Sequence, residues 1–165
     1  MPSNAVAHYT TLFLLYEGKW LLLKRSAQKR LLPSRYTGLG GRVEPGELSD
    51  LRSSVLRELT EETGLQEGDL THLTLRQMLT HNRPGEPLTV LFYFTAELKR
   101  YALPKCTEGT LHWTRPEDFT GLDIIETTAH ALSKLVEDVK TENSVVRLGV
   151  AHYEAGRLVR VVWGD

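Results

Sequence analysis

Residues 57–65 read Arg57-Glu58-Leu59-Thr60-Glu61-Glu62-Thr63-Gly64-Leu65, and residues 40–47 before them read Gly40-Gly41-Arg42-Val43-Glu44-Pro45-Gly46-Glu47. The first stretch has helical spacing. Ser49 is the expected N-cap with Asp50 in the first turn, the helix runs to about Thr63, and Gly64 takes the C′ position that favours a left-handed residue. At 3.6 residues per turn, Glu58, Glu61 and Glu62 fall within one arc of roughly 100°. Leu48, Val55 and Leu59 form an apolar stripe beside that arc, so the carboxylates are expected at the margin where the helix meets the body of the domain. Glu58 and Glu62 are like charges at i, i+4 and lie near the C-terminal end of the helix dipole, two unfavourable placements at once. Such breaks of local rules concentrate at functional sites. A bound Mg²⁺, a hard cation that prefers oxygen ligands, would resolve them. The competing reading is a solvated acidic face, in which Arg57 pairs with Glu61 at i, i+4.

Outward from this helix, residues 36–43 carry Gly38, Gly40 and Gly41, too much glycine for a plain strand. The pattern fits a chain that bends and brings its backbone close to something. Upstream, residues 9–16 and 20–24 are strand-like and joined by Glu17-Gly18-Lys19, a hairpin. Residues 26–35 are polar, basic and broken by Pro33, a loop. Downstream, residues 70–79 and 88–98 read as strands, 110–113 as a short strand, and 116–118 as a helical turn. Residues 124–140 have helical periodicity with Ile125, Ala129, Leu132 and Leu135 on one side. Residues 144–151 and 157–163 flank Glu154-Ala155-Gly156 as a closing hairpin. Strands in hairpins with two inserted helices give a mixed α/β (α+β) sandwich rather than a repeated βαβ unit.

The chain has 165 residues, which fits a single domain over 1–165. Apolar residues make up 41% and charged residues 25%, so a packed globule is expected and disorder is not. A net charge of −1 gives no bulk attraction to a nucleic acid polymer, while a few local cations suffice for a small anion. Cys106 is the single cysteine, which excludes an internal disulfide and argues against an oxidising compartment. Residues 1–8 lack the basic and apolar regions of a signal peptide, and no apolar run reaches the length of a membrane span. A cytoplasmic protein is expected, monomer or homodimer. The six histidines are scattered without metal-ligand spacing, which argues against zinc.

Together the two stretches closely resemble the Nudix box, G-x5-E-x7-R-E-U-x-E-E-x-G-U with U a bulky aliphatic residue. Gly41 and Glu47 match its first half; Arg57, Glu58, Leu59, Glu61, Glu62, Gly64 and Leu65 match its second. One departure stands out. Nine residues, 48–56, separate Glu47 from Arg57 where the family has seven, which puts the position of Glu47 in question. The resemblance implies a Nudix-type mixed β-sheet sandwiched between helices. It implies a Mg²⁺-dependent pyrophosphohydrolase, with Mn²⁺ as a substitute. Glu58, Glu61, Glu62 and the carbonyl of Gly40 would be its metal ligands, and Arg57 would orient the glutamates. The general base would be Glu58, Glu61 or a glutamate of a later loop, for which Glu108 is better placed than Glu86.

Residues 36–43 are also similar to W-N-G-F-G-G-K-V of the MutT-type 8-oxo-dGTP diphosphatase branch. That likeness implies a small nucleotide substrate, with Lys24 and Arg25 approaching phosphates and Tyr36 stacking on the base. Thr37 stands where the branch has asparagine, and a hydroxyl does not offer the paired donor and acceptor of an amide. Asp123 and Glu126 lie near the place of the branch's base-reading acids. Three other classes remain: a hydrolase of a nucleotide sugar such as ADP-ribose, a non-catalytic Nudix-fold sensor, and a prenyl diphosphate isomerase. A sensor usually lacks the box glutamates, and an isomerase wants more than the isolated Cys106. Trp113 and Trp163 read as packing residues.

Overall fold

The computed structural model describes residues 5–164; residues 1–4 of the segment read above for a signal peptide, and residue 165, lie outside the described residues. In chain order the elements are β1 (Ala7–Tyr16), β2 (Lys19–Arg25), β3 (Tyr36–Thr37), β4 (Leu39–Arg42), α1 (Leu51–Thr63), β5 (Leu70–His81), β6 (Thr89–Leu98), β7 (Gly109–Thr114), α2 (Glu126–Lys140), β8 (Arg147–Glu154) and β9 (Arg157–Gly164). A 3-10 turn precedes β5 (Glu67–Asp69) and another follows β7 (Pro116–Gly121). The described strands form one mixed sheet in the order β3-β2-β1-β6-β5-β8-β9, with β4 on β1 and β7 on β2. The β1–β6 and β5–β8 pairs are parallel. No helix among the described residues is long and apolar enough to cross a membrane.

β1 forks the sheet. One edge runs along β6 from Ala7 to Leu15, while the other is divided between β4, opposite Tyr9 to Leu12, and β2, opposite Leu15 and Tyr16. The chain passes from β3, which pairs β2, to β4, which pairs β1, across the fork. This crossing carries the glycines to the middle of the sheet.

Successive side chains of a strand point to opposite faces. Leu12, Leu14, Leu21, Leu23, Phe92 and Phe94 lie on the face that receives Val55 and Leu59 of α1, while Phe13, Trp20, Leu22, Leu79 and Tyr93 meet Ala131, Leu132 and Leu135 of α2. Helices on both sides explain why Leu12-Phe13-Leu14 is apolar without alternation, as strands covered on both faces are. Burying a side chain such as Val55 or Leu59 is worth about 1.5–3 kcal/mol, which fixes the α1 stripe against the sheet.

Three local expectations are corrected. The N-cap of α1 is Asp50, whose Oδ1 accepts from the Ser53 N–H at 3.1 Å, and Ser49 lies in the loop before it. A carboxylate accepts this bond at least as well as a hydroxyl, and one residue further on it faces the free N–H groups. Leu48 precedes the helix and is exposed, so it is no part of the stripe. On α2 the buried face runs through Thr128, Ala131, Leu132 and Leu135, with Ala129 exposed, because Ile125 is the N-cap rather than a helical position. Gly64 caps α1 in the left-handed region as expected, its N–H donating to the Thr60 carbonyl at 2.9 Å.

Candidate active site

α1 packs over β4 and β1, and this places its C-terminal half against the glycine pair. Gly40 has φ +141°, and a Cβ there would stand 1.9 Å from the Thr10 carbonyl oxygen. The missing side chain lets the Gly40 N–H donate to Glu62 Oε1 at 3.2 Å. A Cβ on Gly41 would fall 2.5 Å from Glu58 Oε1, so the glycine leaves the space that the Glu58 carboxylate fills. Glu62 is only 4% exposed, and its Oε2 has no hydrogen-bond partner among the described residues. Burial, and then the Glu58 charge beside it, push the Glu62 carboxyl far above the usual carboxylate range. A buried carboxyl with one oxygen unpartnered, facing a second, partly buried carboxylate, forms a site in want of a cation.

The two glycines separate fold from function. Gly40→Ala is expected to destabilise the protein by more than about 2 kcal/mol, because the new methyl meets rigid backbone at a strained φ. Gly41→Ala meets only the end of a flexible side chain. It is expected to leave the melting temperature nearly unchanged while displacing Glu58 and lowering kcat. Thermal melts and initial rates of both variants check the contrast.

Arg57 organises the acidic side chains. Its Nε and Nη2 donate to Glu47 Oε2 and Oε1, both at 2.9 Å, a two-pronged pair. Nη1 donates to Glu58 Oε1 at 3.2 Å and to Glu61 Oε2 at 3.1 Å, and Nη2 also reaches the Arg42 carbonyl at 3.3 Å. The guanidinium, and then a backbone N–H from Glu44, hold the Glu47 carboxyl down at about 2. The longer spacer has therefore not pulled Glu47 away from Arg57.

The remaining expected residues divide into groups. Glu58 and Glu62 come together beside Gly40. Glu61 turns to Arg57 and is largely exposed, and among the described residues no three acidic, histidine or cysteine side chains converge in ligand geometry. Cross-strand partners share a face: Thr37 pairs with Leu23, and Arg25 lies two residues beyond Leu23 on the same strand, so both are on the α1 side. Lys24 and Tyr36 lie on the α2 side, where the ammonium stands 5.8 Å from the Tyr36 ring centre and the ring meets His112 at 5.9 Å. Asp123 is claimed by Arg35, whose Nη2 and Nε donate to Oδ1 at 3.0 and 3.2 Å; the same guanidinium reaches Glu126 Oε2 at 3.1 Å. Glu108 is ion-paired with Lys29. Burial, and then the Glu62 charge, push the Cys106 thiol up to about 11, which keeps it protonated.

Arg35 and Lys29 were missed by the reading of residues 26–35 as a plain basic loop. Arg35 lies 88 residues from Asp123, and no local spacing signals such a pair.

Residues 7–138 match the model of the NUDIX domain, and the chain belongs to the Nudix family. Nudix hydrolases generally use a divalent metal and act on small nucleotides, and the chain is a pyrophosphohydrolase in class. No curated protein matches the chain. Its fold is similar to that of the mutator MutT protein from Bacillus halodurans, at 19% identity over 95% of this chain and 97% of that one, with a TM-score of 0.65. The MutT protein from Methanosarcina mazei is similar at 22% identity, 85% and 96% coverage and TM-score 0.63. An ADP-ribose pyrophosphatase from Streptococcus suis is similar at 17% identity, 86% and 98% coverage and TM-score 0.63.

Proposed function

We propose that this chain is a Mg²⁺-dependent hydrolase of the pyrophosphate linkage in nucleoside triphosphates, with oxidised purine triphosphates of the 8-oxo-dGTP type as the leading substrate class. The observation that carries the reading is the buried Glu62 beside the partly buried Glu58 in their glycine cradle, with Glu62 Oε2 unpartnered. A hard divalent cation fits this all-oxygen donor set. Glu58, Glu62 and the Gly40 carbonyl would hold it, joined by Glu61 on release from Arg57. Held there, such a cation would supply Lewis-acid chemistry, drawing charge from the phosphates and lowering the pKa of a bound water.

The protein's own groups supply the rest. Arg57 fixes the Glu58 carboxylate through Nη1. Arg25, on the α1 face, takes phosphate oxygens. The proton of the attacking water passes to a carboxylate oxygen of Glu58, Glu61 or Glu108. Thr37, also on the α1 face, meets the nucleoside, with Lys24 and Tyr36 bracing the strand behind it. One domain carries this activity, a view supported by β8 and β9 extending the same sheet.

A nucleotide sugar is the second reading. It is favoured by the capture of Asp123 by Arg35, which leaves that acid engaged and unavailable to a purine edge. The test is phosphate release, with pyrophosphatase added, from 8-oxo-dGTP, dGTP, the other nucleoside triphosphates, ADP-ribose and diadenosine polyphosphates in Mg²⁺. Strong preference for 8-oxo-dGTP is expected. Equal turnover of purine and pyrimidine triphosphates, or preference for ADP-ribose, refutes the leading class.

A further inference from the structure

The ion pair between Lys29 and Glu108 lies outside the Nudix box, and its placement points to a role. β2 and β7 are in register with Arg25 opposite Gly109, so the segments that follow the one strand and precede the other leave the sheet together. The Ser26 N–H donates to the Glu108 carbonyl at 3.0 Å, and the Lys29 N–H donates to the Ser26 carbonyl at 3.0 Å. One residue before Glu108, the Thr107 N–H donates to the Glu62 carbonyl at 3.1 Å. The two segments are thus fastened to each other and to the last turn of α1, beside the buried Glu62. The Lys29 and Glu108 side chains close across them, each about one-third exposed. Burial raises both the Glu62 carboxyl and the Cys106 thiol, and the Lys29 charge reaches both from this position and offsets a small part of that rise.

We propose that Lys29 is a phosphate-binding, positioning residue that Glu108 occupies until substrate arrives. A phosphate chain carries more charge and more acceptor oxygens than one carboxylate, and a partly exposed ion pair is a weak restraint. On binding, Lys29 exchanges Glu108 for a phosphate oxygen and leaves the Glu108 carboxylate free at the mouth of the site. The exchange couples arrival of the anion to release of an acceptor for a proton. This rests on the functional reading above only in requiring a phosphate-bearing ligand.

The two side chains then have opposite signs. Lys29→Met is expected to weaken binding of inorganic pyrophosphate about tenfold, the loss of one charge-assisted contact. Glu108→Gln removes the competitor and is expected to tighten it, and the double variant should bind as Lys29→Met does. Titration calorimetry of the full chain with pyrophosphate in a chelating buffer reads this without turnover, and Lys29→Arg should restore most of the affinity. Wild-type affinity in Lys29→Met, weaker binding in Glu108→Gln, or no pyrophosphate binding by the parent protein overturns the proposal. Hydrolysis plays no part in the measurement. A nucleotide panel without turnover, beside Lys29-dependent pyrophosphate binding, would reject the substrate assignment and leave this role standing.

Discussion

Glu62→Gln is expected to lower kcat by about 10²–10⁴-fold, the loss of several kcal/mol of charge stabilisation around the phosphates. The same substitution is expected to make the metal-free protein more stable. Glu62 is buried and its carboxyl is pushed upward, first by burial and then by Glu58. A carboxyl raised in the folded state contributes nothing unfavourable below its ordinary pKa, and its penalty grows as pH rises toward the folded value. Glutamine carries no such penalty, so in chelating buffer the melting temperature of the variant should exceed that of the parent at about pH 9 and approach it at about pH 5. Thermal melts at both pH values and steady-state rates with Mg²⁺ check the two halves. An unchanged rate in a folded Glu62→Gln protein would remove Glu62 from the site.

Arg57→Met should have the largest effect on stability. The side chain is about one-quarter exposed and its main partner, Glu47, is 18% exposed, so the pair is largely withdrawn from water. Its loss leaves Glu47, Glu58 and Glu61 facing one another without a cation, expected to lower stability by about 3–5 kcal/mol. The pH dependence follows from Glu47. Its carboxyl is held down at about 2, so its contribution is present above the ordinary carboxylate range and lost as pH falls toward that value. The acid limb of the stability curve should therefore flatten in the variant. Arg57→Lys keeps the charge but loses the planar fork, and should fall between the two. Urea midpoints at neutral and acid pH test this; equal midpoints for parent and Arg57→Met would show that the ion pairs contribute nothing. Turnover should fall as well, since Glu58 and Glu61 lose the group that aims them.

Much of this architecture is legible in the residues because its causes are local. The hairpin around Gly18, the helix ended by Gly64, and the crowding of glycines at 38–41 each follow from short-range backbone preferences. The N-cap falls one residue beyond the expected Ser49, because Ser49 and Asp50 are both good caps and propensity alone does not choose between them. The face of α2 was misjudged for a similar reason: Thr127 and Thr128 are polar letters in buried positions, with Thr128 Oγ1 3.4 Å from the Tyr93 hydroxyl. Within the site, the Glu58–Glu62 pairing could be read from i, i+4 spacing. Arg35 with Asp123, and Lys29 with Glu108, join segments distant in the chain, and a single sequence carries no periodicity that announces them. The spacer of 48–56 belongs here too. Spacing along a chain matters less than the distance across which a forked guanidinium meets a carboxylate.

The alternation at the end of β2 and β3 has a bearing on how such an enzyme changes over generations. Arg25 and Thr37 lie on the α1 side of the sheet, while their immediate neighbours Lys24 and Tyr36 lie on the α2 side. Under the proposed function, adjacent codons thus answer to different demands, one set by the ligand and the other by the scaffold. A new substrate can be explored at Thr37 while Tyr36 keeps the support in place, so this corner of the fold is free to vary in chemistry without first surrendering its stability.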